Sequence, residues 1–234
     1  MSAERVAASV LLATRSVGKG RELLTLLAEA GITAETLRDA GIEETPEEAE
    51  LEVHATFAEN ALAKALWFAE RSGRVVVADD SGLCVDALDG RPGVYSKRWS
   101  GRSDLGGAAL DTANNQHLLR ELEKAAERGR PERTARYVCA VACAWPAAGT
   151  GALGQPIIVL GESVGTILSV PRGSGGFGYD PWFSSPALGG RTFAEVSREE
   201  KALVSHRGVA FQAFLREVAA RGLFERVNQP PPSG

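Results

Sequence analysis

The stretch VVVADDSGLCVDAL, residues Val75 to Leu88, decides how the rest of the chain is interpreted. It opens with a run of β-branched valines, which favours a buried strand over a helix. Two adjacent carboxylates, Asp79 and Asp80, follow that run. Acidic side chains directly beyond a buried strand lie at the sheet edge where open α/β proteins bind their ligands. Adjacent like charges are costly without a cation, so a metal site is one interpretation. A solvated turn with a helix cap is the other.

Composition sets the broad class of the protein. With 234 residues, 44% hydrophobic and 24% charged, the chain suits one sizeable α/β domain of an ordinary globular protein. A net charge of −4 argues against polymeric nucleic acid as a partner, because phosphate backbones require a basic surface. Met1 to Ser9 contains charges and no apolar core of signal-peptide length, and no later apolar run approaches the length of a membrane span, so we expect no membrane association.

The cysteines indicate the compartment. Cys84, Cys139 and Cys143 are odd in number and lie in apolar, strand-like segments. Buried free thiols in a reducing compartment are expected, which predicts a cytoplasmic protein. The C-x3-C spacing lacks a second Cys or His pair, so it is a weak indication of zinc.

The first strand and helix suggest a phosphate site. Ser9 to Thr14 (SVLLAT) predicts a buried strand, and an amphipathic helix then runs to Gly31. The turn between them, Arg15 to Gly20, contains Gly18 and Lys19. Backbone N–H groups at a helix start can cradle a phosphate, although the turn does not match the Walker A pattern. A purely structural βα turn remains the alternative.

The next segment carries many carboxylates. Residues 38–52 are rich in Glu and are expected to form an exposed, largely solvated loop, with Glu52 at its end. Thr56 and Glu59 match a capping box, which predicts a helix that continues to Ser72. Lys64 on this helix is expected to be solvated at the surface.

The middle of the chain predicts the sheet. A helix is expected from Leu105 to Arg128, and long strands from Arg133 to Trp145 and from Ile157 to Val170. These two strands are expected to pair antiparallel. Together with the earlier elements they predict an α/β fold with an elongated mixed β-sheet flanked by helices.

Domain organisation follows from the termini. Residues 1–8 are expected to be a flexible N-terminus and residues 9–226 a single domain with two lobes. Residues 227–234 include consecutive prolines and are expected to be a disordered tail. No internal repeat or linker divides the chain.

Two later segments suggest ligand contacts. In RGSGGFGYDP, residues 172–181, glycines allow close approach to a ligand and surround Phe177, with Asp180 as a fixed acceptor. A flexible hairpin loop is the alternative. In the second segment, Ser205 is predicted to cap the final helix and so to project His206 and Arg207 from its positive end. An ordinary surface helix is the competing interpretation.

In this order the motifs resemble the inosine triphosphate pyrophosphatase family. Any one of them is a weak signal, but together they cover roughly residues 9 to 221. One departure is Ser16, where the family usually has Asn; a hydroxyl can replace one amide contact but not both. The motifs that carry the resemblance are T-R-S-V-G-K (14–19), T-F-A-E-N-A (56–61), A-D-D-S-G-L (78–83), G-R-P-G (90–93), G-G-F-G-Y-D (175–180) and S-H-R-G (205–208).

The resemblance implies a role for each matching position. Asp80 would activate the attacking water and, with Glu52, hold Mg²⁺, while Asp79 would be a supporting acid. Phe177 would stack on the purine and Asp180 would bind the base edge. The remaining expected contacts to the substrate are Thr14, Arg15, Ser16, Val17, Gly18, Lys19, Ser81, Gly178, Tyr179, Lys201, His206 and Arg207.

The resemblance further implies two lobes with a central nucleotide cleft, a homodimer, and hydrolysis of ITP, dITP and XTP to the monophosphate and pyrophosphate. Donors such as His206 or Arg207 would favour a 6-oxo purine, because a 6-amino group would meet donor against donor.

Three other functions compete with this one. A Maf-type pyrophosphatase of different base preference would share much of the chemistry, but the S-H-R-G segment favours purines. A non-catalytic Mg-nucleotide sensor would use the acidic pair only to hold a cation. A haloacid-dehalogenase-like phosphatase is disfavoured because its motif needs Asp-x-Asp, and here Asp79 and Asp80 are adjacent.

Overall fold

The computed structural model describes residues 9–146 and 153–223. The strands are β1 (Ser9–Leu12), β2 (Thr33–Thr36), β3 (Val75–Val85), β4 (Thr134–Ala144), β5 (Ile157–Ile167) and β6 (Phe183–Ser184). The α-helices are α1 (Val17–Glu29), α2 (Phe57–Ser72), α3 (Gly107–Glu127), α4 (Arg198–Val204) and α5 (His206–Arg221). Shorter 3₁₀ helices occupy Pro46–Glu52, Asp86–Leu88, Gly93–Arg98 and Pro186–Leu188.

These strands form a mixed sheet in the order β2-β1-β3-β4-β5-β6. Strand β1 pairs in parallel with β2 and β3, whereas β5 and β6 are antiparallel. The prediction of an α/β fold with a mixed sheet flanked by helices is therefore confirmed. The two long strands β4 and β5 are neighbours, as expected from the sequence. The nucleotide cleft stays a prediction.

In the parallel part of the sheet, the chain adds its strands on opposite sides of β1. The chain places β2 on one side of β1 and β3 on the other, which makes the β1–β3 pair a topological switch point. In the register of this pair Leu12 lies opposite Val77, and the backbone N–H of Ala13 donates to the Val77 carbonyl at 2.9 Å. The turn after β1 and the carboxylate of Asp79 are thereby brought to the same end of the two strands.

Strand β3 is longer than the valine run predicted. It continues from Val75 to Val85, so Asp79 and Asp80 lie within the strand and not beyond it. The interpretation of these residues as a solvated turn is therefore wrong. Because side chains alternate along a strand, adjacent residues point to opposite faces, which separates the two carboxylates.

The chain divides into two compact units, each with its own apolar core. The first unit comprises Met1–Asp79, Ala140–Val159 and Phe211–Gly234, and its described core includes Leu11, Ala65, Phe68, Val76 and Ala142. The second unit comprises Asp80–Cys139 and Leu160–Ala210, and its core includes Leu83, Leu118, Tyr137, Phe183 and Phe193. Burial of these apolar side chains is the main stabilising contribution in each unit.

Helix starts follow the local signals in the sequence. Thr56 and Glu59 form the predicted capping box of α2, which ends at Ser72 as expected. Ser205 separates α4 from α5, and its hydroxyl accepts from the Gly208 N–H at 3.1 Å, which confirms it as the N-cap of the last helix. The N-cap of α1 is Ser16.

The remaining predictions concern the cysteines, a membrane span and the two termini. The three cysteines are buried and free, as expected. In the described ranges no helix is long and apolar enough to cross a membrane. The predicted flexible N-terminus at residues 1–8 and the predicted disordered tail at 227–234 lie outside the described residues.

Candidate active site

The turn between β1 and α1 is shaped by two hydroxyls. The Thr14 hydroxyl accepts a hydrogen bond from the backbone N–H of Ser16 at 3.2 Å. Ser16 in turn accepts from the backbone N–H of Lys19 at 3.5 Å, as the N-cap of α1. Both Asn and Ser are good N-cap residues, so the departure from the family pattern at Ser16 preserves the helix start.

The guanidinium of Arg15 donates its hydrogen bonds to the segment that precedes α2. Its Nε and Nη2 donate to the Glu48 carboxylate at 3.0 and 2.6 Å. The remaining contacts go to the carbonyls of Ile42 and Glu43. The hydrogen bonds that Arg15 donates to the Glu48 carboxylate are the main reason that the pKa of Arg15 is raised. The glutamate-rich segment is therefore anchored through Arg15, and its expected description as a solvated loop is wrong at Glu48.

Lys19 partly compensates the negative charge of the buried Asp79 carboxylate in the first unit. Its Nζ lies 3.4 Å from the Oδ2 atom of Asp79, whose side chain is completely buried. A buried carboxylate needs a nearby cation, and Lys19 from the first turn of α1 supplies it. Val17 on the same turn is exposed. The complete burial of Asp79 suits a supporting acid better than a solvent-facing ligand.

Lys64 is the residue whose role the sequence missed. It is buried, and its Nζ donates to Glu52 Oε1 at 2.6 Å and to the Asp79 carbonyl at 2.7 Å. The expectation of a solvated surface lysine is wrong. The helical period contained the signal, since Lys64 lies on the same stripe as Ala61, Ala65 and Phe68. Lys64 holds Glu52 against the backbone of β3.

On the second unit, Asp80 and Ser81 continue the same strand. Asp80 is 7% exposed, and its Oδ1 accepts from the backbone N–H of Ser81 at 2.9 Å. The Ser81 hydroxyl accepts from Nη2 of Arg207 at 2.9 Å. A buried arginine thus lies directly beside the residue that follows Asp80. This is an arrangement that favours an anion near Ser81.

The start of α5 presents two buried basic residues. Arg207 is 2% exposed and His206 is 4% exposed. The His206 ring stacks on Tyr137 with a centroid distance of 4.5 Å and an interplanar angle of 7°. The predicted projection of both side chains from a capped helix start matches the Ser205 cap, while burial removes the interpretation as an ordinary surface helix.

The glycine-rich loop is ordered by a buried ion pair. Asp180 Oδ2 accepts from Lys201 Nζ at 2.8 Å and from the Phe177 N–H at 2.9 Å. Lys201 Nζ also lies 5.0 Å from the centre of the half-buried Phe177 ring, within cation–π range. A Cβ at Gly176 would overlap the Asp180 carboxylate, and the φ of Gly176 is +71°. Only glycine fits there, and the alternative of a flexible hairpin is disfavoured.

Tyr179 supports this loop from below. Its hydroxyl donates to the Ser96 carbonyl at 2.8 Å, and the side chain is 5% exposed. Burial raises the pKa of this hydroxyl, so it stays a donor at any ordinary pH. Ser96 also accepts from the Leu83 N–H at 2.8 Å, which links the loop to β3. The neighbouring Gly178 is held by residues of α3, which the sequence did not single out.

Glu52 and Asp80 are the carboxylates whose chemistry bears on a metal ion. Within residues 9–146 and 153–223 no three His, Cys, Asp or Glu side chains converge into a metal site. Mg²⁺ commonly uses only one or two carboxylates and completes its shell with substrate phosphates and waters. Glu52, whose side chain is 39% exposed, and Asp80 are carboxylates of that kind. The chemistry of each carboxylate therefore suits an ion that arrives with a phosphorylated substrate.

Comparisons with known proteins point in one direction. Residues 10–217 match the sequence model of the Ham1 family. A dITP/XTP pyrophosphatase of Ralstonia nicotianae is 44% identical over 92% of this chain and 98% of that protein. Another from Thermus thermophilus is 45% identical over 88% of this chain and 89% of that protein.

Solved structures agree. A HAM1 protein from Coxiella burnetii aligns with a TM-score of 0.74 at 32% identity, over 92% of this chain and 100% of that chain. A dITP/XTP pyrophosphatase from Mycobacterium abscessus aligns with a TM-score of 0.63 at 41% identity, over 88% of this chain and 98% of that chain.

Proposed function

The chain is a member of the Ham1 family, and we propose on this basis that it hydrolyses non-canonical purine nucleoside triphosphates such as dITP, XTP and ITP. The products are the nucleoside monophosphate and pyrophosphate. The observation that carries the proposal is the near-complete overlap with proteins named dITP/XTP pyrophosphatase, at 44% to 45% identity. The same overlap disfavours a Maf-type enzyme with another base preference.

Asp80 is proposed as the base that accepts a proton from the attacking water. Hydrolysis adds that water across the bond between the α- and β-phosphates, and pyrophosphate leaves. The support is its place on β3, with only 7% of the residue exposed and a fixed orientation through the Ser81 N–H. Positioning and neutralisation of charge supply most of the catalysis in such displacements.

Mg²⁺ is proposed as the cofactor, held by Glu52 and Asp80. When bound it would neutralise phosphate charge and orient the triphosphate. Lys64 would keep Glu52 oriented for this role through its 2.6 Å bond, and Asp79 would hold Lys19 through their 3.4 Å ion pair. Lys19 and the backbone N–H groups at the start of α1 are proposed to bind the triphosphate.

The base is proposed to lie on Phe177. A half-buried ring over a buried ammonium offers a flat face for stacking. His206 and Arg207 would donate hydrogen bonds to the 6-oxo group of a purine. The 6-amino group of adenine is itself a donor and would offer these buried donors no acceptor. Asp180 already binds Lys201, so its proposed contribution to base recognition is to hold the loop that carries Phe177.

A homodimer is also proposed, with a cytoplasmic location. Support for the homodimer comes from the outer face of β5, where Leu160 and Val164 are 57% and 64% exposed. Apolar side chains that alternate with buried ones along a strand form a surface suited to a second copy. Sedimentation of the wild type beside a Leu160→Lys variant tests this: a monomer in both cases would rule it out.

The decisive experiment is product identification. Purified protein is incubated with Mg²⁺ and ITP, dITP or XTP, beside ATP and GTP. We expect the monophosphate and pyrophosphate from the first three and little from the last two. Release of orthophosphate would contradict the proposed bond. Tight Mg-dependent binding without turnover would favour a nucleotide sensor instead.

The role of Asp80 has its own test. Asp80→Asn is expected to lower kcat by about 10² to 10⁴, the range for loss of a general base. Asp89→Asn, the same chemical change at an exposed position, is the control and should leave kcat unchanged. Wild-type turnover in Asp80→Asn would contradict the assignment.

A further inference from the structure

Helix α3 binds one residue of the glycine-rich loop, Gly178, through both its N–H and its carbonyl group. Asp111 Oδ2 accepts from the Gly178 N–H at 2.9 Å, and Asn115 Nδ2 donates to the Gly178 carbonyl at 2.9 Å. The two side chains are four residues apart on α3, so they project from the same face and reach the same residue. We name this pair of contacts the Gly178 clamp.

The clamp acts where the backbone is least constrained. Gly178 has a φ of +64°, and glycine loses more conformational freedom than any other residue when it is ordered. Phe177 precedes it, and the Phe177 N–H is held by Asp180 at 2.9 Å. With Gly178 N–H fixed by Asp111, the peptide groups on both sides of Phe177 are immobilised, and the direction of its ring is set.

Stability alone does not account for Asn115. It is 8% exposed, and its Oδ1 atom lacks a hydrogen-bond partner among the described residues. An unsatisfied buried acceptor costs about 1–3 kcal/mol, which an apolar residue of similar size would avoid. Its neighbours further along the same stripe, Leu118 and Leu122, are buried and apolar. What Asn115 offers that an apolar residue cannot is the hydrogen bond from its Nδ2 group to the Gly178 carbonyl.

We propose that Asp111 and Asn115 are positioning residues that orient Phe177 for the purine and so set the affinity for the base. This inference rests on the proposed function, because Phe177 is assigned to the base there. Both side chains form their hydrogen bonds with Gly178, which belongs to the loop of Phe177 and not to the turn at the start of α1. The effect is therefore expected on binding of the base and not on the chemical step.

The chain offers a matched control in Asn114. This neighbour is also buried on α3, but it holds a different segment: its Nδ2 donates to the Lys97 carbonyl at 3.0 Å and its Oδ1 accepts from the Ser100 N–H at 2.8 Å. Asn114→Asp and Asn115→Asp make the same isosteric change, from a donor to a repelling carboxylate, at adjacent buried positions. They differ in which backbone carbonyl loses its donor.

The test compares Asp111→Ala, Asn115→Asp and Asn114→Asp with the wild type. Steady-state kinetics with ITP should show KM raised about tenfold by the first two, equivalent to about 1.4 kcal/mol, with kcat within a factor of about two. Asp111→Asn keeps an acceptor oxygen and should restore the wild-type KM. Asn114→Asp should lower stability without raising KM.

Two further measurements separate this inference from the proposed function. Hydrogen exchange of the backbone amides of Phe177 and Gly178 should accelerate in Asp111→Ala and Asn115→Asp, whatever the enzyme's activity. Binding of IMP by calorimetry should weaken by the same factor as KM and needs no turnover. If the wild type hydrolyses no triphosphate, the proposed function fails, and the clamp is judged on IMP binding alone.

Three outcomes would overturn the inference. One is faster exchange at Gly178 with unchanged KM and IMP affinity. Another is an equal rise of KM in Asn114→Asp and Asn115→Asp, which would reduce the effect to a general loss of stability. The last is a wild type that does not bind IMP. Should Asp111→Ala not fold, the Asn115→Asp and Asn114→Asp pair still decides the question.

Discussion

Each unit of the molecule contains a lysine paired with a carboxylate, and the two pairs differ in one respect. In the first unit Lys64 lies 2.6 Å from Glu52, and in the second Lys201 lies 2.8 Å from Asp180. The lysine side chains are 10% and 7% exposed. The carboxylates, however, are 39% exposed at Glu52 and 4% at Asp180. We call them the open pair and the sealed pair.

The difference in exposure suits Glu52 to its proposed role as a metal ligand and Asp180 to its proposed role in holding the loop. A carboxylate that faces water can exchange a solvent molecule for a cation without losing its lysine, which is what a transient metal ligand requires. A sealed carboxylate cannot, because any ligand would have to enter a desolvated environment. Asp180 uses the same oxygen for the Phe177 N–H, so its pair orders the loop. Similar short contacts thus have different functions.

The largest expected effect comes from breaking the sealed pair. Removing one partner leaves the other charge buried and uncompensated, at a cost of about 3–5 kcal/mol. Lys201→Met and Asp180→Asn are both expected to lower the free energy of unfolding by that amount, measured by urea denaturation. A loss below about 1 kcal/mol in both variants would show that water reaches the pair in solution.

Breaking the open pair should cost less stability and more activity. Glu52→Gln is expected to lower the free energy of unfolding by only about 1–2 kcal/mol, because the carboxylate is already solvated on one side. Its activity should nevertheless fall by at least about 10², as expected for a damaged metal ligand. Equal destabilisation by Glu52→Gln and Asp180→Asn would erase the distinction.

A smaller difference between the two pairs is expected in how their coupling energies depend on salt concentration. Between about 0.1 M and about 1 M salt the Debye length falls from about 10 Å to about 3 Å, which weakens exposed pairs and spares buried ones. Double-mutant cycles with Lys64→Met and Glu52→Gln should show a coupling energy that falls with salt. The cycle with Lys201→Met and Asp180→Asn should not change. The reverse order would contradict the assignment of open and sealed.

The sequence predicted well what depends on near neighbours. The Thr56–Glu59 capping box and the Ser205 cap involve residues within one helical turn, and both are present. It predicted less well what depends on distant partners. Strand β3 was expected to stop at its carboxylates, because polar residues resemble a strand end, yet it continues to Val85.

Lysine and arginine partners illustrate the same limit. Lys64 was expected at the surface because only apolar residues were counted on the buried stripe of α2, although a charged residue can share that stripe when a carboxylate meets it. Arg15 is tied to Glu48, 33 residues away along the chain, and no local pattern predicts that contact. The residue types of the site were readable from motifs, whereas their pairing required the fold.

The smallest expected effects concern the two serine caps, which repeat the contrast between the units. Ser205 is 3% exposed and caps α5 at 3.1 Å, whereas Ser16 is half-buried and caps α1 at 3.5 Å. N-cap losses span about 0.5–2 kcal/mol, so we expect Ser205→Ala near the upper end and Ser16→Ala near the lower. Thermal or urea unfolding measures both, and the opposite ranking would contradict the comparison.

Ser16→Asn then isolates what the family's usual residue adds. Asn caps a helix as well as Ser does, so the free energy of unfolding should change by less than about 0.5 kcal/mol. An amide also separates donor from acceptor: its Nδ2 group can donate two hydrogen bonds while Oδ1 accepts from the Lys19 N–H, whereas the only donor hydrogen of Ser16 lies on the capping oxygen itself. If that donor reaches the nucleotide, KM for ITP falls in Ser16→Asn with stability unchanged. An unchanged KM would mean that the position serves only to start α1.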